Sequence, residues 1–204
     1  MIFTVAIDGP AAAGKGTISK AVAQDYGLAH LDTGLLYRAV GWRVLQGEAP
    51  VAAAMALEAG DLSHDDRLRT PEVAQAASEV AVLPEVREKL LDFQRKFARR
   101  DGGAVLDGRD IGTVICPDAD VKLFVTASAE ARAERRFLEL EAKGIGVSRA
   151  QVLADVQARD ARDSSRDAAP MVAAEDAVTI DTTDMSIEAA LDRVREIIGL
   201  KLQA

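Results

Sequence analysis

One nine-residue stretch constrains this chain more than any other: Gly9-Pro10-Ala11-Ala12-Ala13-Gly14-Lys15-Gly16-Thr17. It follows an apolar run at 3–7 that reads as a buried strand, and it opens a run at 15–26 that reads as a helix. Strand, glycine-bounded loop and helix form the setting in which backbone holds phosphate. N–H groups at the helix start point at the anion, and the helix dipole favours negative charge there. Gly9 and Gly14 permit turns and close approach, and Lys15 brings a flexible positive charge to the β- and γ-phosphates. The generic pattern has Ser or Thr directly after the lysine. Here Gly16 stands in that place and the hydroxyl of Thr17 comes one residue later.

Beyond the loop, short apolar runs alternate with helical periods. Strands are expected at 28–31, 104–106, 121–125 and 178–180. Helices are expected at 34–45, 72–82, 85–98, 129–143, 148–161 and 186–200, with room for one short helix in 47–70. Leu35, Leu36, Ala39 and Val40 mark the inner face of the second helix. Pro84 separates two helices, Gly144 ends one, and Ser148 caps the next. Five short buried strands with intervening helices predict an α/β fold, a largely parallel sheet covered on both faces. The helical stretches after strands two and four look like insertions over one edge of that sheet.

Hydrophobic residues make up 49% of 204, enough for a packed core and one domain at this length. Asp and Glu (33) outnumber Lys and Arg (25), a net charge of −8 that argues against general nucleic-acid or membrane-surface binding. Cys116 is the one cysteine, so no intrachain disulfide is expected, and it reads as a small buried hydrophobe. No apolar run is long enough for a membrane helix, and the first residues, with Asp8 among them, do not look like a secretory signal. A cytoplasmic location fits, and nothing demands more than a monomer.

Against that acidic background, residues 130–166 hold eight Lys/Arg and seven Asp/Glu. Arg132 and Arg136, four apart, share one helix face; Arg159, Arg162 and Arg166 follow, interleaved with Asp160 and Asp163. Standing alone, such a run reads as a solvated helix with i,i+4 ion pairs. Beside a phosphate loop it reads as charge for a moving phosphoryl group. Asp107-Gly-Arg109-Asp110 follows a predicted strand, where a carboxylate of the Walker-B type would sit and where parallel sheets bind ligands. Arg109 can fork onto a phosphate. Asp32-Thr33-Gly34 ends the second strand, with Thr33 a cap for the next helix and Arg38 one turn in. His30 and His64 read as structural or exposed.

The GKGT form of the loop is similar to that of nucleoside monophosphate kinases. Together with HLDTGLLYRA, RTPEVAQAASEVAVLPEVRE, LDGRDIGTVICPDADVKLFV and ARDARDSSRDAAP, it makes the chain resemble the bacterial cytidylate (CMP/dCMP) kinases from Ile7 to Pro170. The resemblance implies a P-loop kinase with a five-stranded parallel core (1–32, 101–140 and 168–204), a monophosphate-binding insertion at about 33–100 and a lid at about 141–167. It implies that Arg38, Arg109 and Arg166 hold the acceptor phosphate; that Ser78, Arg87 and Asp110 read the cytosine edge; and that Arg159 and Asp163 lie near the sugar, with Thr33 beside them. Residues 9–17 and Arg132 would bind ATP, with Lys15, Arg136 and Arg109 catalytic. Mg²⁺ would be held by Thr17 and, through water, by Asp107. ATP and CMP or dCMP are the implied partners.

Two departures stand out. Ala12 occupies a place where many members have glycine, which makes the loop slightly bulkier and is expected to be tolerated if its φ stays negative. Residues 47–70 are shorter than in members that carry a small β-sheet there, and they show no strand alternation. The alternative is another small-molecule P-loop kinase, of the adenylate or shikimate type; a hydroxyl acceptor would need a base, and the clustered arginines favour a phosphate acceptor. A guanine-reading switch would need an N/TKxD motif, which is absent.

Overall fold

The computed structural model describes residues 2–62 and 66–203; His64 lies outside them. The five strands are β1 (Thr4–Asp8), β2 (Ala29–Asp32), β3 (Ala104–Gly108), β4 (Val121–Thr126) and β5 (Val178–Asp181). The helices are α1 (Lys15–Tyr26), α2 (Thr33–Leu45), α3 (Pro50–Met55), α4 (Pro71–Val80), α5 (Pro84–Ala98), α6 (Ala129–Ala142), α7 (Arg149–Ser164) and α8 (Ile187–Leu202). Every strand pair is parallel, in the order β2-β3-β1-β4-β5. Among the described residues no helix is long and apolar enough to cross a membrane.

The order explains the burial. β1 and β3 are buried throughout, which is why they read as unbroken apolar runs. β2 and β5 are the edge strands, with only Leu31 and Ile180 buried, so the expectation of five buried strands fails at both edges. One sheet face packs Val5, Ile7, Val105 and Leu123 against Ile18 and Val22 of α1 and Val194 and Ile198 of α8. The other packs Ala6 and Leu106 against Leu36 and Val40 of α2 and Val86 and Leu90 of α5. Each such side chain contributes about 1.5–3 kcal/mol by leaving water.

The two helical insertions do not share an edge. Residues 33–100 leave from β2 and return to its neighbour β3, whereas residues 127–177 join β4 to β5 at the opposite edge. A central β1 forces this, because strands added on either side must place their connections on either side. The insertions meet where α7 reaches α4. The α6–α7 pair has a small core of its own: Ala133, Phe137, Leu140, Val152 and Val156.

Local chemistry sets the element ends. Ser128, Ser148 and Ser186 each accept a backbone N–H three residues on, at 3.1 Å, and Thr70 does so at 3.2 Å, about 1 kcal/mol apiece. Gly144 takes the left-handed conformation, φ +71°, just past α6. Thr33 does not cap α2. Asp32 is the N-cap residue, and the Thr33 hydroxyl donates to the Asp107 carbonyl at 2.8 Å, tying α2 to β3. Residues 47–70 contain α3 and two short 3₁₀ turns and no strand among those described. Gly41 lets α2 lie against α4: a Cβ there would come within 2.7 Å of the Ala77 nitrogen.

Candidate active site

The phosphate loop runs from the end of β1 to the start of α1. Gly9, at φ +138°, passes so close to β4 that a Cβ would meet the Val125 carbonyl oxygen at 1.9 Å. Gly14, at φ +95°, is the N-cap of α1. The condition of a negative φ at Ala12 is not met: the residue sits at +60°, in the left-handed region. The loop's curvature imposes that angle whichever residue is present, and an alanine bears a cost of about 1–2 kcal/mol for it.

Lys15 is buried, and its Nζ donates to the Pro10 carbonyl at 2.7 Å. Burial, then Arg109, pushes its pKa down to about 7, against the pull of Asp107, Asp8 and Asp32. Thr17 projects from the first turn of α1 into a cleft of about 460 Å³. That cleft is bounded by Ala12, Ala13, Gly14, Arg135, Arg136, Thr182, Met185 and Ile187. Arg136 also pairs with Glu139 at 2.7 Å. Arg132, expected beside ATP, is absent from the cleft wall. It is buried, with donors on the carbonyls of Ala127 and Ala11 and on the Asp160 carboxylate. It ties the phosphate loop to α7, because a buried guanidinium must find acceptors and those three surround it.

A second, tight cavity of about 50 Å³ lies nearby. It gathers Thr33, Ser78, Arg87, Arg109, Asp110, Arg159, Asp163 and Arg166, from five separate stretches of chain. Arg38 alone of the residues expected around a monophosphate is outside that lining. Its guanidinium donates to the Leu68 carbonyl at 2.8 Å. Burial, then Arg136, lowers its pKa, while Asp32 opposes.

Inside the cavity Arg87 is ion-paired with Asp110. Burial still holds the Asp110 carboxyl above the usual range. Arg109 Nε donates to Asp163 at 2.9 Å. Burial alone would raise Asp163, but Arg109 and Arg159 outweigh it and hold the carboxyl below its ordinary value. Burial and then Arg109 push Arg159 down to about 9. Arg159 Nε and Arg166 Nη2 are buried donors with no acceptor in the protein. Such orphan donors suit anionic oxygens.

Asp107, next to last in β3, is in register with Asp32 of β2, and its carboxylate meets His30 Nε2 at 2.7 Å. The structural reading of His30 therefore has a definite partner. Burial, then Asp107, raises the Asp32 pKa. A hydroxyl and crowded carboxylates are the oxygen donors that Mg²⁺ takes, and a cation would relieve the Asp32–Asp107 repulsion. Among the described residues no three His, Cys, Asp or Glu side chains form a cage.

Several site residues escaped the sequence analysis. Tyr37 lines the tight cavity, with the Arg87 guanidinium 5.7 Å from its ring centroid. Its place one turn after Thr33 was an available signal. Asp8 was noted only for its charge. Its carboxylate accepts from the N–H groups of Ile111 and Gly112, each at 2.7 Å, fixing the segment after Asp110 against β1. Burial raises its pKa to about 6. Arg135 and Thr182, paired at 3.1 Å, come from distant segments that no local pattern connects.

A family model described as cytidylate kinase matches residues 5–65 and 52–199. A cytidylate kinase of Cereibacter sphaeroides is 64% identical over 201 residues, covering 98% of this chain and 97% of the relative. One from Granulibacter bethesdensis is 54% identical, covering 98% and 99%. Among solved structures, a Thermus thermophilus protein superposes with a TM-score of 0.52 at 21% identity, covering 100% of this chain and 99% of that one. A Eubacterium ventriosum protein superposes with a TM-score of 0.56 at 16% identity, covering 97% and 98%. These two structures share the fold.

Proposed function

The chain belongs to the cytidylate kinase family, and from that premise we propose how its residues transfer the γ-phosphoryl group of ATP to CMP and dCMP. The bond that forms joins an acceptor-phosphate oxygen to the γ-phosphorus. The bond that breaks is the one from that phosphorus to the β,γ-bridging oxygen, and ADP leaves with its electrons. The acceptor phosphate, with a second pKa of about 6, is mostly dianionic at neutral pH and needs no general base. Catalysis then rests on position and charge.

Lys15, the α1 N-terminus and Arg136 serve the triphosphate from the cleft beside the loop. Arg38, Arg109 and Arg166 hold the acceptor phosphate. The observation that carries this reading is the buried, acceptor-less Nη2 of Arg166, in the same cavity as Arg109. It is a donor for an anionic oxygen that no carboxylate of the protein fills, while Arg159 Nε, also without a hydrogen-bond acceptor, stands 3.9 Å from Asp163 on the sugar side. Mg²⁺, when bound, would supply positive charge against the phosphates. Thr17 would hold it, with Asp107 orienting its water.

Base selectivity follows from hydrogen-bond polarity. Asp110 accepts from the cytosine amino group, Arg87 donates to N3 and O2, and Ser78 completes the edge. Uracil inverts the 4-position and N3 and leaves buried groups unpaired, at about 1–3 kcal/mol each. The space now present is far below the roughly 300 Å³ of an ordinary ligand pocket. Residues 33–100 and the lid at 141–167 therefore part to admit the nucleotide and close to exclude water. The negative net charge supports small nucleotide substrates over nucleic acid; a monomer in the cytoplasm is part of the proposal.

The test supplies ATP, Mg²⁺ and each nucleoside monophosphate in turn and measures ADP. Turnover with CMP and dCMP well above UMP and AMP is expected. Equal turnover with AMP, or with a hydroxyl acceptor such as shikimate, overturns the reading.

A further inference from the structure

Arg162 has no place in the chemistry above and does not line the tight cavity. It stands on α7 between Arg159 and Arg166 and turns instead toward α4. Its Nε donates to the Ser78 hydroxyl at 3.2 Å, and a terminal nitrogen donates to Gln75 Oε1 at 2.8 Å. Gln75 is itself oriented by Glu79, at 2.7 Å. Ser78 is buried and faces the cavity.

We propose that Arg162 is a positioning residue for pyrimidine selectivity, acting on the nucleobase through the Ser78 hydroxyl. The inference rests on the reading of Ser78 as part of the base-recognising edge. A free serine hydroxyl rotates, and its one donor and two lone pairs can satisfy either an acceptor or a donor opposite. Such a group does not discriminate cytosine from uracil. The guanidinium N–H occupies one lone pair and holds the oxygen in place, leaving one O–H and one lone pair. Accepting from a cation polarises the hydroxyl, so that it becomes a better donor and a poorer acceptor, and this donor pattern matches the acceptor at N3 of cytosine rather than the N3–H of uracil. Because Arg162 is carried by α7, the pattern is set only when α7 lies against α4. Selection of the base and closure of the lid then become a single event.

The test compares kcat/KM for CMP and UMP in the wild type, Arg162→Met, Gln75→Ala, Ser78→Ala and the double variant Ser78→Ala/Arg162→Met. Arg162→Met should lower the CMP/UMP ratio by about tenfold, chiefly through KM for CMP, while KM for ATP stays within about twofold. Gln75→Ala, a change at an exposed position, should lower the ratio by about threefold, as the guanidinium loses its second anchor. The double variant should match Ser78→Ala alone, since an effect relayed through one hydroxyl cannot be lost twice. An unchanged ratio in Arg162→Met, or losses that multiply in the double variant, overturns the proposal. Should Arg162→Met fail to fold, an unchanged ratio in Gln75→Ala does so. A wild type without preference for CMP instead overturns the base-recognition reading itself, a result separable from the others.

Discussion

Lys15 offers the sharpest quantitative expectation. Its ammonium group is buried against the phosphate loop, with a pKa near 7 in place of 10.5. That depression corresponds to roughly 5 kcal/mol held against the charged form. A triphosphate tail at the loop supplies the missing counter-charge and returns the group toward its ordinary value. At pH 8 the free lysine is then about one-tenth protonated and the bound lysine almost fully so, and ADP or ATP binding takes up about 0.9 proton. Affinity should fall about tenfold per pH unit as pH rises above 7, until the bound lysine itself titrates. The opposite trend is expected for the stability of the unliganded protein. The unfolded lysine keeps its proton to about 10.5, so this group's contribution to stability improves as pH rises from about 7. Calorimetric titration with ADP and Mg²⁺ at pH 8, in buffers of different ionisation enthalpy, counts the protons directly. Lys15→Met should bring the count near zero. A wild-type uptake below about 0.2 proton, or the same uptake in Lys15→Met, refutes the reasoning.

Three further outcomes are expected. Asp110→Asn, which keeps the shape beside Arg87, should cut the CMP/UMP ratio of kcat/KM by about 5–150-fold, and an unchanged ratio removes Asp110 from base recognition. Arg136→Ala should lower kcat far more than it raises KM for ATP; a change confined to KM assigns it to ground-state binding. Ala12→Gly should raise stability by about 1 kcal/mol in denaturant titrations, because glycine accepts the φ of +60° without strain, and a loss of stability contradicts that origin.

Much of the fold was legible because its signals are local. The β1–loop–α1 unit reads from glycine placement and a buried strand, and α1 begins and ends where its periodicity does. Ser148 and Gly144 mark helix ends through groups that act within one turn. What stayed hidden depends on segments far apart in the chain. The Arg132–Asp160 tie spans 28 positions and Thr182 meets Arg135 from 47 away, so neither has a sequence signature. Asp8 entered the sequence reading only as an acid in the first residues, because its partners, the N–H groups of Ile111 and Gly112, lie more than 100 residues on. Helical spacing put Arg132 and Arg136 on one face, but not which of them α7 would cover. The opposite edges of the two insertions follow from strand order, which local pattern does not encode.

The close contact at Gly41 bears on how the protein measures its substrate. α2 carries Thr33, Tyr37 and Arg38, and α4 carries Ser78. With backbone seated on backbone, these two helices move as one jaw of a caliper whose gap is preset. A ligand one phosphate too short or too long meets only one end of that gauge, whichever base it bears.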